Sequence, residues 1–183
     1  QALLLAVTLP EADRVWLEGF SRGLAEARTA IGAPLVGGDT TRGSLSLTVT
    51  VLGSTPADQY LTRSGAQPGD RLCVSGTLGD AAAGLAVLSG QLAVDESAAA
   101  FLTTRYIRPA ARLALGQALR HCATACIDIS DGLLSDAAHI ASASGVRLEI
   151  DSTLLPLSET LRSSADLDQS LDWALAGGDD YEL

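Results

Sequence analysis

The stretch "ACIDISDGLLSD", Ala125 to Asp136, decides how the second half of the chain is read. Period-two alternation places Ala125, Ile127 and Ile129 on one face and Cys126, Asp128 and Ser130 on the other, which predicts a strand. Gly132 breaks that strand, and Leu133, Ala137 and Ile140 then recur at helical spacing up to Gly145. Asp128, Ser130 and Asp131 therefore gather where a strand runs into a helix, the end of a strand at which open sheets present ligand groups. Helix capping by Ser130 or Asp131 accounts for one of these residues and not for all. Two crowded carboxylates repel, and a divalent cation such as Mg²⁺, shared with substrate phosphates, removes the conflict.

The same device recurs. "GGD" occurs at Gly37-Gly38-Asp39, followed by two threonines, and again at Gly177-Gly178-Asp179, followed by Asp180. Each taken alone is a glycine turn, the first a turn between strands. Together they point to a metal–phosphate site. "SGTLGDAAAGL" (Ser75 to Leu85) has neither the Lys-Ser/Thr of a P-loop nor a G-x-G-x-x-G fingerprint, so dinucleotide chemistry is a weak alternative. Its glycines suit close helix–strand packing. Arg63 is a candidate phosphate or nucleotide contact against the reading of a solvated surface arginine.

Around these clusters the chain alternates strands and helices. "PEADRVWLEGFSRGLAEARTAIG" predicts a helix with Trp16, Phe20, Leu24 and Ala27 in one stripe, and "SLSLTVTVLG" a half-buried strand with Leu45, Leu47, Val49 and Val51 on one face. "STPADQYLTRSGAQPGD" (Ser54 to Asp70) reads as the connection between domains. Beyond it come a strand over "RLCVS", helices over the Ala-rich segment, 95–107 and 110–122, the decisive strand and helix, a strand over "VRLEI", and two short helices. The fold class is α/β (α+β) in two domains, 1–62 and 63–183. Trp16 and Trp173 are expected in cores.

Composition narrows the function. A chain of 183 residues with 47% hydrophobic and 19% charged residues has enough apolar side chains for one or two cores. Its net charge of −10 argues against nucleic acid as a partner, since backbone-phosphate binding needs clustered Lys and Arg. No apolar run reaches the ~20 residues of a membrane span, so no membrane partner and a cytoplasmic place are expected. Cys73, Cys122 and Cys126 are odd in number and lack a CxxC, which predicts buried reduced thiols; His121 beside them makes no common zinc spacing. The lack of any Met and the end at Leu183, inside "GGDDYEL", predict an internal piece of a longer protein.

The motifs "LVGGDTTRG", "LTRSGAQPGDRLCVSGTLGDAAAGL", "RPAARLALGQAL", "IDISDGLLSDAAHI" and "ALAGGDDYEL", in this order and spacing, resemble the thiamine-monophosphate kinase family. That family belongs to an ATP-using superfamily with aminoimidazole ribonucleotide synthetase, selenophosphate synthetase and a hydrogenase maturation protein. The resemblance implies a truncated N-terminal mixed-sheet dimerisation domain that pairs in a homodimer, and a C-terminal α/β domain of the aminoimidazole ribonucleotide synthetase-like type. It implies ATP-dependent phosphorylation of thiamine monophosphate to the diphosphate with several Mg²⁺ ions. By matching motif, Gly38, Asp39, Arg63 and Ser130 would bind ATP, and Asp39, Asp128 and Asp131 would be Mg²⁺ ligands. Asp179 would contact the thiamine substrate, at a position where the family usually carries Glu in "GGEDYEL". No protein nucleophile is implied; in-line transfer between two polyanions suits metal assistance. The family's N-terminal acidic motifs and its C-terminal aromatic contact have no match here. The alternatives are another ATP-using enzyme of the same superfamily and a non-catalytic acidic metal-binding domain.

Overall fold

The computed structural model describes residues 1–183 and divides them into two compact units, Gln1–Asp58 and Gln59–Leu183. In the first unit a three-stranded mixed sheet has β1 (Ala2–Leu9) at its centre, parallel to β2 (Leu35–Arg42) and antiparallel to β3 (Ser46–Leu52). Helix α1 (Arg14–Ile31) makes the crossover between β1 and β2. Asp13 caps it by accepting the Trp16 N–H at 2.8 Å, and Gly32, at φ 67°, closes it in the left-handed conformation that glycine adopts at no steric cost.

Several expectations change here. "ALLLAVTL", near the start of the chain, is the central strand, and Leu3, Val7 and Leu9 along it are buried. "LVGGDTTR" is a strand rather than a turn. Its pairing sets Gly38 opposite Leu5, and a Cβ at position 38 would collide with the Leu5 carbonyl oxygen. Strand pairing alone therefore demands glycine there. The expected half-buried row is exposed: Leu45, Leu47, Val49 and Val51 all stand in the open. Trp16 stacks on Phe20, ring centroids 5.1 Å apart, and stays 37% exposed instead of entering a core.

The second unit is built from α2 (Asp80–Leu88), α3 (Glu96–Ile107), α4 (Leu113–Leu119), α5 (Leu133–Ser144), a 3₁₀ turn at Ser152–Leu154, α6 (Glu159–Ser164) and α7 (Leu167–Ala176). Its core gathers Leu78, Leu102, Ile129, Leu133, Leu155, Leu157, Leu161 and Ala174. Burial of such aliphatic side chains, about 1.5–3 kcal/mol each, is the main term holding the unit together. Helices α2 and α3 pack closely because Gly84 faces the Leu102 carbonyl directly.

The strands expected over 71–75, 125–130 and 146–150 do not form ladders. The pairing found there is an isolated antiparallel bridge, Ile129 with Glu182, because a strand needs a continuous hydrogen-bonded neighbour and the few bonds joining 129–130 to 179–182 do not extend into a ladder. Residues 62–66 already belong to the second unit. The Cys126 N–H donates to the Thr62 carbonyl at 2.9 Å, and Ser144 Oγ, 3.2 Å from the Arg63 carbonyl oxygen, holds the same segment. Cys73 and Cys122 are exposed and only Cys126 is half-buried, so the buried-thiol expectation fails for two of them; burial pushes the Cys126 thiol pKa up.

Candidate functional site: two joined acidic turns

Two turns of the second unit meet edge to edge. The Ile129 N–H donates to the Glu182 carbonyl at 2.8 Å, the Tyr181 N–H to the Ile129 carbonyl at 2.9 Å, and the Asp179 N–H to the Ser130 carbonyl at 2.9 Å. Gly178 sits so close that a Cβ on it would lie 2.5 Å from the Ser130 oxygen. The decisive stretch and the final glycine pair are thus one structure. Asp128, Ser130, Asp131 and Asp179, expected from sequence as site residues, lie together on it.

The orientation of the side chains follows the local backbone. Asp128 and Asp131 are exposed while Ile129 between them is 4% exposed and enters the core. In the partner turn Asp180 and Glu182 are buried, at 1% and 0% exposure, whereas Tyr181 is 40% exposed. Asp179 (φ 68°) and Tyr181 (φ 50°) both hold left-handed backbone, uncommon for residues with a Cβ. The Tyr181 hydroxyl feels all three outward acids. Asp179 foremost, then burial, a hydrogen bond with Asp179, and the charges of Asp128 and Asp131 raise its pKa.

The inward acids form the support. Asp180 accepts the N–H groups of Gly79 (2.7 Å) and Ala81 (3.2 Å) at the start of α2, where a helix offers unpaired donors. Burial nonetheless outweighs those bonds and raises its pKa to about 6. Glu182 is held by Arg112 through Nε at 2.6 Å and Nη2 at 2.5 Å, by Arg105 Nη2 at 3.0 Å and by Ser75 Oγ. Burial pushes the Glu182 pKa up, but the hydrogen bonds from Arg112, Ser75 and Arg105 prevail and leave it lowered. Asp80, fully buried, takes bonds from Thr77 and Ser158 and lies 3.6 Å from Arg105 Nε.

On the other turn the expected capping is reversed. Neither Ser130 nor Asp131 caps α5; Gly132 occupies the cap position and brings no side-chain bond. Instead the buried Asp136 reaches back from the first turn of α5, and its Oδ2 accepts the N–H groups of Ser130 (3.0 Å) and Asp131 (3.1 Å). The grip is one-way: Asp136, an acid shortly inside the helix start, holds the two residues ahead of the cap, and the cap returns no side-chain bond. The side chains of Ser130 and Asp131 are left for other partners.

The other expected residues stand apart in sequence and setting. Gly38 and Asp39 are on β2 of the first unit, both exposed, and Asp39 Oδ1 accepts the N–H of the adjacent Thr40 at 2.8 Å. Arg63 is exposed near the start of the second unit. Tyr181, Glu182, Asp136, Arg105 and Arg112 are additions from the structure, and Asp180, which the sequence groups with the metal–phosphate cluster, is a buried strut instead. The alternation within "DDYEL" is the sequence signal for residues 180–182.

The donor chemistry is that of hard oxygen ligands. No group of three or more His, Cys, Asp and Glu side chains is disposed to hold an ion by itself. Asp128 and Asp131 enter no ion pair with the arginines that bind the inner acids. A pair of free carboxylates fits Mg²⁺, which keeps waters and is completed by substrate phosphates rather than by a protein cage.

Known protein families match the chain along most of its length. The profile "AIR synthase related protein, N-terminal domain" matches residues 1–55 and "AIR synthase related protein, C-terminal domain" matches residues 67–172. The thiamine-monophosphate kinase of Escherichia coli (strain K12) is 50% identical over 182 residues, 99% of this chain and 56% of its own length. The crystal structure of thiamine-monophosphate kinase from Stenotrophomonas maltophilia K279a superposes with a TM-score of 0.94 at 45% identity, covering 98% of this chain and 58% of that one. A structure described as AaThiL complexed with AMPPCP and TMP has a TM-score of 0.86 at 34% identity, covering 100% of this chain and 60% of that one. The chain spans about half the length of the curated relatives it matches. Profile matches across both units, with the fold they describe, establish that this chain belongs to the AIR synthase related family.

Proposed function

We propose that this chain is the nucleotide- and metal-binding part of a thiamine-monophosphate kinase, which transfers the γ-phosphoryl group of ATP to thiamine monophosphate and forms thiamine diphosphate. The observation that carries the reading is 50% identity to such a kinase over 99% of the chain, coupled to the exposed carboxylates on the joined turns. Asp39, Asp128 and Asp131 would hold Mg²⁺, which when bound neutralises the charge of two polyanions that must approach each other. Gly38, Asp39, Arg63 and Ser130 would contact ATP. Asp179 would orient the thiamine substrate, reaching one methylene less than the glutamate of "GGEDYEL". The protein positions reactants for a direct in-line transfer, and no side chain serves as a nucleophile.

A homodimer through the first unit belongs to the same reading, supported by the exposed apolar row Leu47, Val49 and Val51 on β3. A cytoplasmic location belongs to it too; no helix is long and apolar enough to cross a membrane. The test is a coupled assay on the full-length protein with MgATP and, in turn, thiamine monophosphate, thiamine and aminoimidazole precursors. Turnover with thiamine monophosphate alone is expected. Preference for another acceptor overturns the substrate, and a trapped phosphorylated side chain overturns direct transfer.

A further inference from the structure

The geometry points to Asp136 as a positioning residue for the nucleotide-contacting turn: its buried carboxylate fixes the Ser130–Asp131 backbone and so aims the side chains of both. This rests on the functional reading given for Ser130 and Asp131. A single oxygen, Oδ2, accepts both N–H groups, at 3.0 and 3.1 Å, and the side chain is 3% exposed. A buried carboxylate is costly unless it is hydrogen-bonded, and charge-assisted bonds of this type are about twice as strong as neutral ones. The N-terminal turn of α5 adds a favourable dipole. The turn also has few other ways to hold its shape. Gly132, at φ 112°, supplies no side chain, and the cap position makes no side-chain bond. On its far side the Ser130 carbonyl is already engaged by Asp179 N–H, so Asp136 and Asp179 grip opposite faces of the same peptide segment. Asp136 touches neither nucleotide nor metal in this scheme.

A merely structural carboxylate would affect stability alone. A positioning carboxylate also affects how the folded protein binds MgATP, because each hydrogen bond lost to a charged group costs roughly tenfold or more in affinity. The experiment uses the full-length protein with Asp136→Ala, Asp136→Asn and Asp136→Glu. It reads thermal midpoint, MgATP affinity by calorimetry, and amide hydrogen exchange at Ser130 and Asp131 without Mg²⁺ or nucleotide. Asn keeps an oxygen acceptor in place and loses the charge; Glu keeps the charge and changes the reach. Expected are protected amides at 130 and 131 in the wild type, MgATP affinity within about threefold of wild type for Asn, and losses of tenfold or more for Ala and Glu in the folded fraction. If Ala does not fold, Glu carries the same comparison. Wild-type affinity in folded Ala or Glu protein, or unprotected amides in the wild type, overturns the proposal. An Asn variant as weak as Ala whose amides at 130 and 131 stay protected overturns it too, because the backbone is then still held while binding is lost. Absence of Mg²⁺-dependent nucleotide binding in the wild type defeats the functional reading instead, while the exchange measurement still judges the clamp.

Discussion

The Glu182 carboxylate, fully buried, receives the Arg112 guanidinium on both oxygens, Nε on Oε2 at 2.6 Å and Nη2 on Oε1 at 2.5 Å. Arg105 shares Oε1 and also donates to the Thr77 carbonyl at 3.1 Å, so this one acid ties "DDYEL" to the segment before α2 and to α3 and α4. Glu182→Ala leaves Arg112 without its acid and Arg105 with Asp80 alone. The expected loss is about 3 kcal/mol, the lower end for breaking a buried pair because Arg112 is partly exposed. Chemical denaturation of the full-length protein checks this, and a loss below about 1 kcal/mol contradicts it.

Asp180 predicts a pH dependence. Its pKa in the folded protein is about 6 against an ordinary 3.8, so between those values the folded state keeps a proton that the unfolded state has lost. Stability contributed by this group therefore falls as pH rises from about 4 to 6, by about 3 kcal/mol, and is flat above. Glu182 acts in the opposite sense, stabilising above its ordinary pKa and losing that contribution as pH falls. Stability of the wild type measured relative to Asp180→Asn should decline across pH 4–6; a constant difference refutes the assignment.

Gly178→Ala tests the junction of the two turns. The added Cβ would lie 2.5 Å from the Ser130 carbonyl oxygen, so the turns must separate. A stability loss of about 1–3 kcal/mol is expected, with weakened MgATP binding in the protein that remains folded. Unchanged affinity and stability would falsify the close approach.

Asp128→Asn separates chemistry from folding. The side chain is exposed and outside the arginine network, so the thermal midpoint should stay within a few degrees of wild type. Turnover at ordinary Mg²⁺ should fall at least about tenfold, with partial recovery as Mg²⁺ is raised. Full activity at low Mg²⁺ would remove Asp128 from the metal site.

Much of this was readable from residue order. The helical stripe of α1, its stop at Gly32, the break at Gly132 and the α5 pattern are local signals, because capping, φ preference and periodicity act over a few residues. Strand assignments failed where pairing decided them. Apolar "ALLLAVTL" became the sheet centre, and "LVGGDTTR" became a strand despite its glycines because β1 lies beside it. Alternating "CIDIS" acquired no ladder, since alternation proposes a strand but only a neighbour completes one.

For the site, the residue types settled which oxygens exist and that carboxylates collect at glycine bends, because composition and spacing are written in the chain. Which acids face outward and which serve as struts was settled by folding. Asp179 and Asp180 are adjacent and chemically identical, yet one stands beside Ser130 and the other is buried against the α2 amides. Burial and hydrogen-bond partners are properties of residues far apart in sequence, and they alone distinguish a carboxylate that can meet a cation from one already satisfied.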